Sequence, residues 1–137
     1  MADEKRYDFG RVVGDYQFAQ VSEIKKLRFK SGSFIDRIVI NDNGYGGDGG
    51  TLSPEFEFGD IETIQELTIA SGGVIDRFSF VTSNGRNMSV GGPNGDSKTI
   101  RGKVTGIAGE VGHYPGGPKV VCRLYVWMIP RLGYENQ

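Results

Sequence analysis

The sequence predicts an all-β fold, and three observations support that class. A segment of seven residues, Ser31–Arg37, recurs 40 residues later in nearly the same form as Ser71–Arg77. Apolar and polar residues alternate on both sides of each copy, which is typical of half-buried strands. The 22 glycines lie mostly between apolar runs, where they mark turns between strands. A repeat of this length indicates one supersecondary unit per copy, and no segment has a convincing helical pattern.

The strands and loops follow from these patterns in chain order. A strand edge and glycine loop are expected within residues 8–15. We expect strands at 24–30, 38–40, 55–58, 64–69, 78–81, 103–112 and 120–129. Glycine-rich loops are expected at 41–53 and 91–96, because no helix could contain them. Residues 83–86, with their Asn-Gly pair, predict a hairpin turn.

Length and composition place the chain among ordinary single domains, here residues 1–137. The net charge of −1 gives no electrostatic reason to expect nucleic acid or an anionic membrane as a partner. No apolar run approaches the roughly 18 residues of a membrane span, so membrane insertion is not expected. The first seven residues lack the apolar core of a signal peptide. We therefore expect a cytoplasmic protein, or one secreted by a leaderless route.

The third copy of the repeat is defective. Stepping another 40 residues from the second copy places Gly116 where Asp36 and Asp76 stood. The connector at 113–118 looks like an insertion of about half a dozen residues, an ordinary loop length. If that insertion is skipped, Cys122 takes the aspartate's place instead. Neither residue can replace a carboxylate, so we predict two working sites and one dead one.

Each intact copy combines a Gly-x-x-x-Asp turn with a glycine loop after the next strand. A carboxylate only accepts hydrogen bonds, whereas the N–H groups of a glycine loop donate them and allow close approach. Adjacent sugar hydroxyls both donate and accept, so a sugar edge fits this arrangement. The alternative is that Asp36 and Asp76 cap their own turns, as aspartate commonly does.

These motifs resemble the jacalin-related lectins, in the order in which that family has them. The resemblance covers roughly residues 21–112, and the middle of the chain is most similar to a mannose-binding member from a red alga. It implies a β-prism I fold: three four-stranded Greek-key units with pseudo-threefold symmetry. It also implies binding of mannose- or glucose-type sugars, and of high-mannose glycans or glycoproteins as partners, without a metal, a cofactor or catalysis.

The resemblance assigns two carbohydrate sites in this chain. The first comprises a turn and a facing loop: Gly32, Ser33, Phe34 and Asp36 with Gly46, Gly47 and Asp48. The second is built in the same way: Gly72, Gly73, Val74 and Asp76 with Gly91, Gly92 and Asn94. The side chains at Phe34 and Val74 carry no hydroxyl, which leaves apolar stacking on the sugar. The loop at 10–14 would serve the third unit, but it lacks a Gly-Gly pair.

Other functions fit the sequence less well than a lectin. The lone cysteine, Cys122, excludes an intramolecular disulfide, and we expect it to be a buried strand residue rather than a nucleophile served by His113, which we expect to be solvated. An EF-hand beginning at Asp42 fails, because Ser53 stands where the final glutamate is required.

The main alternative is a β-prism that binds protein or is structural, with vestigial sugar sites and with Tyr114, Tyr125 and Trp127 at an interface. We also expect a homo-oligomer, namely a dimer.

Overall fold

The computed structural model describes residues 3–131, which form strands and no helix. The strands are β1 (Lys5–Phe9), β2 (Tyr16–Val21), β3 (Lys26–Ser31), β4 (Ile35–Ile40), β5 (Asn43–Gly46), β6 (Thr51–Leu52), β7 (Phe56–Glu57), β8 (Ile64–Ser71), β9 (Ile75–Thr82), β10 (Asn87–Gly91), β11 (Asp96–His113) and β12 (Lys119–Pro130). The all-β prediction is confirmed.

The strands form three antiparallel units that follow the repeat. In the first unit, β5, β4 and β3 are neighbours, and β6 and β7 share the far edge of β3. In the second unit, β10, β9 and β8 are followed by residues 96–101 of β11. In the third unit, β2 and β12 flank the rest of β11, and β1 pairs with β12. The long strand β11 therefore belongs to two units, and Gly102, with a φ of +151°, lies where it passes between them.

The core lies between the three units, because each turns its apolar face inward. Leu27 and Phe29 of β3 are fully buried, as are Ile38 and Ile40 of β4, which agrees with the predicted alternation. The ring of Phe29 packs 5.0 Å from that of Phe78 in the second unit. Buried residues of β11 and β12 complete the same cluster, so the core joins all three units.

The loop predicted at 41–53 is wrong in part, because it contains two strands. Asn41 and Asp42 take positive φ values of 51° and 74°, which these residue types tolerate. They close a two-residue hairpin, so that β5 pairs with β4 from Ile40 opposite Asn43 onward. The edge of β4 thus gains hydrogen-bonding partners from the next strand in the chain, a local hairpin that the high glycine content concealed. In the predicted strand 55–58, only Phe56 and Glu57 pair with β3.

Candidate functional site

The two repeated aspartates occupy the same structural position, a β-bulge just after the turn. In the first unit, Lys30 pairs with Arg37 and Ser31 with Ile35, so Asp36 is the extra residue. In the second unit, the shift between Ala70 and Ser71 leaves Asp76 in the equivalent place. A bulge redirects its residue relative to the regular strand alternation. It thereby brings each carboxylate to the loop of its own unit.

Each aspartate contacts the glycine loop of its own unit through main chain and side chain. The N–H of Gly47 donates to the Asp36 carbonyl at 2.8 Å, and that of Gly92 donates to the Asp76 carbonyl at 2.9 Å. A Cβ on Gly50 would lie 2.5 Å from Oδ2 of Asp36, and the same distance separates a Cβ on Gly95 from Oδ2 of Asp76. Only glycine allows the carboxylate to lie so close to the loop backbone.

The carboxylates are shielded from water, and side chains do not satisfy them. Asp36 is only 4% exposed and Asp76 is half-buried. Burial raises the pKa of both carboxyl groups, although the N–H of Gly72 bonded to Asp76 acts in the opposite direction. Within residues 3–131, no side-chain hydrogen bond to either group is formed. Capping of the turn therefore uses only part of their capacity to accept hydrogen bonds.

Fewer loop N–H groups are free to bind a ligand than the sequence predicted. Gly47 and Gly92 are buried, and their N–H groups are already bonded to the aspartate carbonyls. They hold the loop against the turn and have no N–H left for a ligand. The exposed loop residues are 48–50 in the first unit and 93–95 in the second. Asp48 and Asn94, both predicted to contribute, are among them.

The turns and loops of the three units meet in a cycle at one end of the molecule. The N–H groups of Arg11 and Val12 donate to the carbonyl of Gly73, which links the third unit's loop to the second unit's turn. A Cβ on Gly92 would lie 2.3 Å from the carbonyl oxygen of Ser33, and one on Gly47 would lie 2.1 Å from that of Lys119. Each loop therefore touches its own turn and the turn of one neighbour.

A small apolar cluster fills the middle of this end. Val74, Val120 and Cys122 are buried in it, and Val12 and Phe34 pack against it. The Val74 side chain is 2% exposed, so the stacking on a sugar that was expected of it does not fit the structure: its side chain completes the cluster. Phe34 is only partly buried, and its ring stacks on Tyr114.

The third unit has the same frame without the carboxylate. Glu110 pairs with Arg123 and Val111 with Val121, so the bulge residue is Cys122, in agreement with the alignment that skips the insertion. Nine residues separate Val111 from Val121, whereas three separate Ser31 from Ile35, so the insertion is six residues long. Cys122 is fully buried, as predicted, and burial raises the pKa of its thiol.

One buried acid of this unit, Glu110, has a structural role. Glu110 is buried and accepts hydrogen bonds from the N–H of Gly14, at 3.0 Å, and from the Tyr125 hydroxyl. Burial opposes its ionisation, but these bonds and nearby Arg123 outweigh that effect and lower its pKa. Glu110 therefore ties the loop at 10–14 to the sheet. His113, 64% exposed at its side chain, lies 3.8 Å from Asp15.

A second polar network lies where β7 approaches the hairpin between β9 and β10. The buried Glu62 accepts hydrogen bonds from Arg86 at 2.6 Å, from Thr82 at 2.5 Å and from the N–H of Gly59 at 2.9 Å. These bonds, above all those from Arg86, lower the pKa of Glu62 to about 2. Arg86 also donates to the Glu57 carbonyl and lies over the Phe56 ring. The network joins the first two units.

The rest of the described chain adds no metal site. Among residues 3–131, acidic, histidine and cysteine side chains do not gather into a group that could hold a metal ion. The same residues contain no helix long and apolar enough to cross a membrane.

Comparison with known proteins identifies the family. No family model matches the chain. Griffithsin from Griffithsia sp. is 42% identical over 95 residues, which cover 68% of this chain and 78% of griffithsin. Malaysian banana lectin superposes with a TM-score of 0.71 at 21% identity, covering 96% of this chain and all of that one. A mannose-binding lectin from champedak superposes with a TM-score of 0.63 at 12% identity, over 93% and 96% of the two chains.

The sequence match and the shared fold agree with the predicted family and architecture. The solved structures bear out the β-prism, and a lectin family accounts for the absence of a catalytic motif. The chain belongs to the jacalin-related β-prism lectins, the family that includes griffithsin.

Proposed function

We propose that this lectin binds mannose-type sugars at two sites per chain, centred on Asp36 and Asp76. The observation that carries the proposal is the repeated bulge: in two of three units it holds a shielded carboxylate beside an exposed glycine loop. The relation to griffithsin and the name of the champedak lectin support mannose as the sugar.

In each site the carboxylate accepts hydrogen bonds from two neighbouring sugar hydroxyls. Its shielding from water strengthens those bonds, and bonds to an ionised group are the strong ones. The exposed loop residues at 48–50 and 93–95 supply donors to the same sugar. Shallow sites of this kind bind a monosaccharide with a dissociation constant on the order of millimolar.

Useful affinity then requires several sites on one branched ligand. Linking sites can raise the apparent affinity by about 10²- to 10⁴-fold, which favours high-mannose glycans as the natural ligands.

We propose that the chain also forms a dimer, which would double the number of sites. Sedimentation velocity over a range of concentrations tests this, and a single monomer species throughout would rule it out.

Calorimetric titration with methyl α-mannoside tests the proposed sites. We expect two sites in the parent chain, and one each in Asp36→Asn and Asp76→Asn, because the amide removes the charge while keeping the shape. Asp60→Asn, in an exposed turn, is the matched control and should retain both. Unchanged binding in both site variants would overturn the assignment. Absence of binding by the parent chain would leave the protein-binding module as the better explanation.

A further inference from the structure

The six-residue insertion of the third unit forms a projecting hairpin. Strands β11 and β12 continue past Val111 and Val121 to the pair His113 and Lys119. The tip is closed by hydrogen bonds from the N–H of Tyr114 to the Pro118 carbonyl at 2.9 Å, and from the N–H of Gly117 to the Tyr114 carbonyl at 2.7 Å. The other two units turn without such an extension.

This hairpin lies against both parts of the first site, the turn and the glycine loop. The ring of Tyr114 stacks on that of Phe34, with centroids 5.7 Å apart and planes 11° apart, and Phe34 lies two residues before Asp36 in the turn. On the other leg, the carbonyl oxygen of Lys119 packs against Gly47 in the site's loop. The third unit thus contributes a wall to the site of the first.

The second site has no such wall. Val74 replaces Phe34 there, and its side chain is buried in the apolar cluster. The neighbouring element is the loop of the third unit, whose Arg11 and Val12 N–H groups bond to Gly73. The two sites therefore share a carboxylate and a loop but differ in their surroundings.

The Tyr114 ring is exposed and held in place, which are the properties of a preformed binding surface. It is 43% exposed although Phe34 covers part of it. A Cβ on Gly117 would lie 3.4 Å from the Cβ and Cδ1 atoms of Tyr114, so the backbone at Gly117 passes close to that side chain. Pro115 and Pro118 restrict the hairpin backbone. An aromatic ring held in place loses little conformational entropy when a ligand packs on it.

We propose that Phe34 and Tyr114 form an aromatic ledge that receives the second pyranose ring of an oligosaccharide whose terminal sugar occupies the first site. The C–H face of a pyranose is apolar, and packing it on an exposed ring removes apolar surface from water. This inference rests on the proposed sugar-binding function. It implies that the first site prefers a disaccharide to a monosaccharide more strongly than the second does, by about three- to tenfold.

The test compares the sites one at a time. Asp76→Asn leaves the first site and Asp36→Asn the second, and each variant is titrated with methyl α-mannoside and with α-linked mannobioses. We expect the larger disaccharide preference in Asp76→Asn. Adding Tyr114→Ala should remove the excess preference, whereas Tyr114→Phe should retain it. Tyr16→Ala, at a tyrosine of β2 that is 54% exposed, is the control and should have no effect.

The outcomes separate this inference from the function on which it rests. Equal preferences at the two sites, with methyl α-mannoside still bound, would overturn the ledge alone. Tighter binding of both sugars after Tyr114→Ala would also overturn it, since the hairpin would then obstruct the first site. If neither single-site variant bound either sugar while both remained folded, with melting temperatures no lower than that of the parent, the proposed function itself would fail.

Discussion

Cys122 occupies in the third unit the β-bulge that Asp36 occupies in the first. Each is the unpaired residue between two strand pairs, and each is followed by an arginine that resumes the ladder, Arg123 and Arg37. The backbone carbonyls also correspond: a Cβ on Gly10 would lie 2.1 Å from that of Cys122, and one on Gly46 would lie 2.2 Å from that of Asp36. The third unit therefore has the same backbone frame as the first, with a thiol in place of the carboxylate.

Restoring the carboxylate should not restore the site. In Cys122→Asp the new charge would be buried, and Glu110 and Asp15 already disfavour negative charge there, since both raise the pKa of the thiol. We expect a loss of stability on the order of 3 kcal/mol and no additional sugar site. Denaturant unfolding and calorimetric titration measure the two effects, with Cys122→Ala as the control for lost packing. A third site in Cys122→Asp would contradict the interpretation.

Adding a methyl group to Gly92 should disturb the cycle of turns and loops. The Cβ would lie 2.3 Å from the Ser33 carbonyl oxygen, and backbone cannot yield as a flexible side chain can. We expect Gly92→Ala to destabilise the fold by roughly 1–3 kcal/mol and to weaken binding. Gly32→Ala is the matched control for stability, because its Cβ would meet no atom within 4 Å. Equal unfolding midpoints for the two variants would argue against the close approach.

Sugar binding should weaken on acidification at a higher pH than an ordinary aspartate would give. Burial raises the pKa of Asp36 and Asp76, and only the ionised form accepts from both hydroxyls. The midpoint of the loss should lie above the ordinary aspartate value of about 3.9. Titrations across the acid range with methyl α-mannoside measure it. A midpoint at or below that value would count against shielded carboxylates.

The same raised pKa values predict that the ionised carboxylates of Asp36 and Asp76 destabilise the fold at neutral pH. A carboxyl whose pKa is raised on folding stabilises the fold below its unfolded pKa, and that contribution is lost as the pH rises through the folded value. Asp36→Asn should therefore melt slightly higher than the parent at neutral pH while losing its sugar site. Thermal unfolding at neutral and acidic pH measures this effect. A lower melting temperature at neutral pH would mean that the carboxylate mainly holds its turn.

Glu62 should behave in the opposite way, as a residue that serves stability. Its pKa is lowered to about 2, so its contribution is present above the unfolded value near 4.5 and is lost as the pH falls toward 2. Glu62→Gln should lower the melting temperature by several degrees at neutral pH, with both sugar sites retained. Glu66→Gln is the control, since its bond to Arg101 lies at the surface and contributes little. Similar melting of the two variants would refute this role.

Much of the fold could be predicted from local sequence. The alternation around Leu27 and Phe29, and the recurrence of Asp36 as Asp76, are properties of short segments. They determined the all-β class, the repeated unit and the absence of a third carboxylate. Side-chain period and turn chemistry act over a few residues, which is why they can be read without the structure.

Only the tertiary structure decided how the units meet. The burial of Val74, the contact between Gly47 and Lys119, and the stacking of Tyr114 on Phe34 all join residues of different units. The pairing of β5 with β4 is local, because a two-residue turn at Asn41 and Asp42 joins the strands, and the glycine-rich composition concealed it. The contacts between units depend on how three twisted sheets pack around one axis. The sequence therefore determined the turn and the glycine loop of each unit, and the packing of the units decided which of their residues are exposed and what surrounds them.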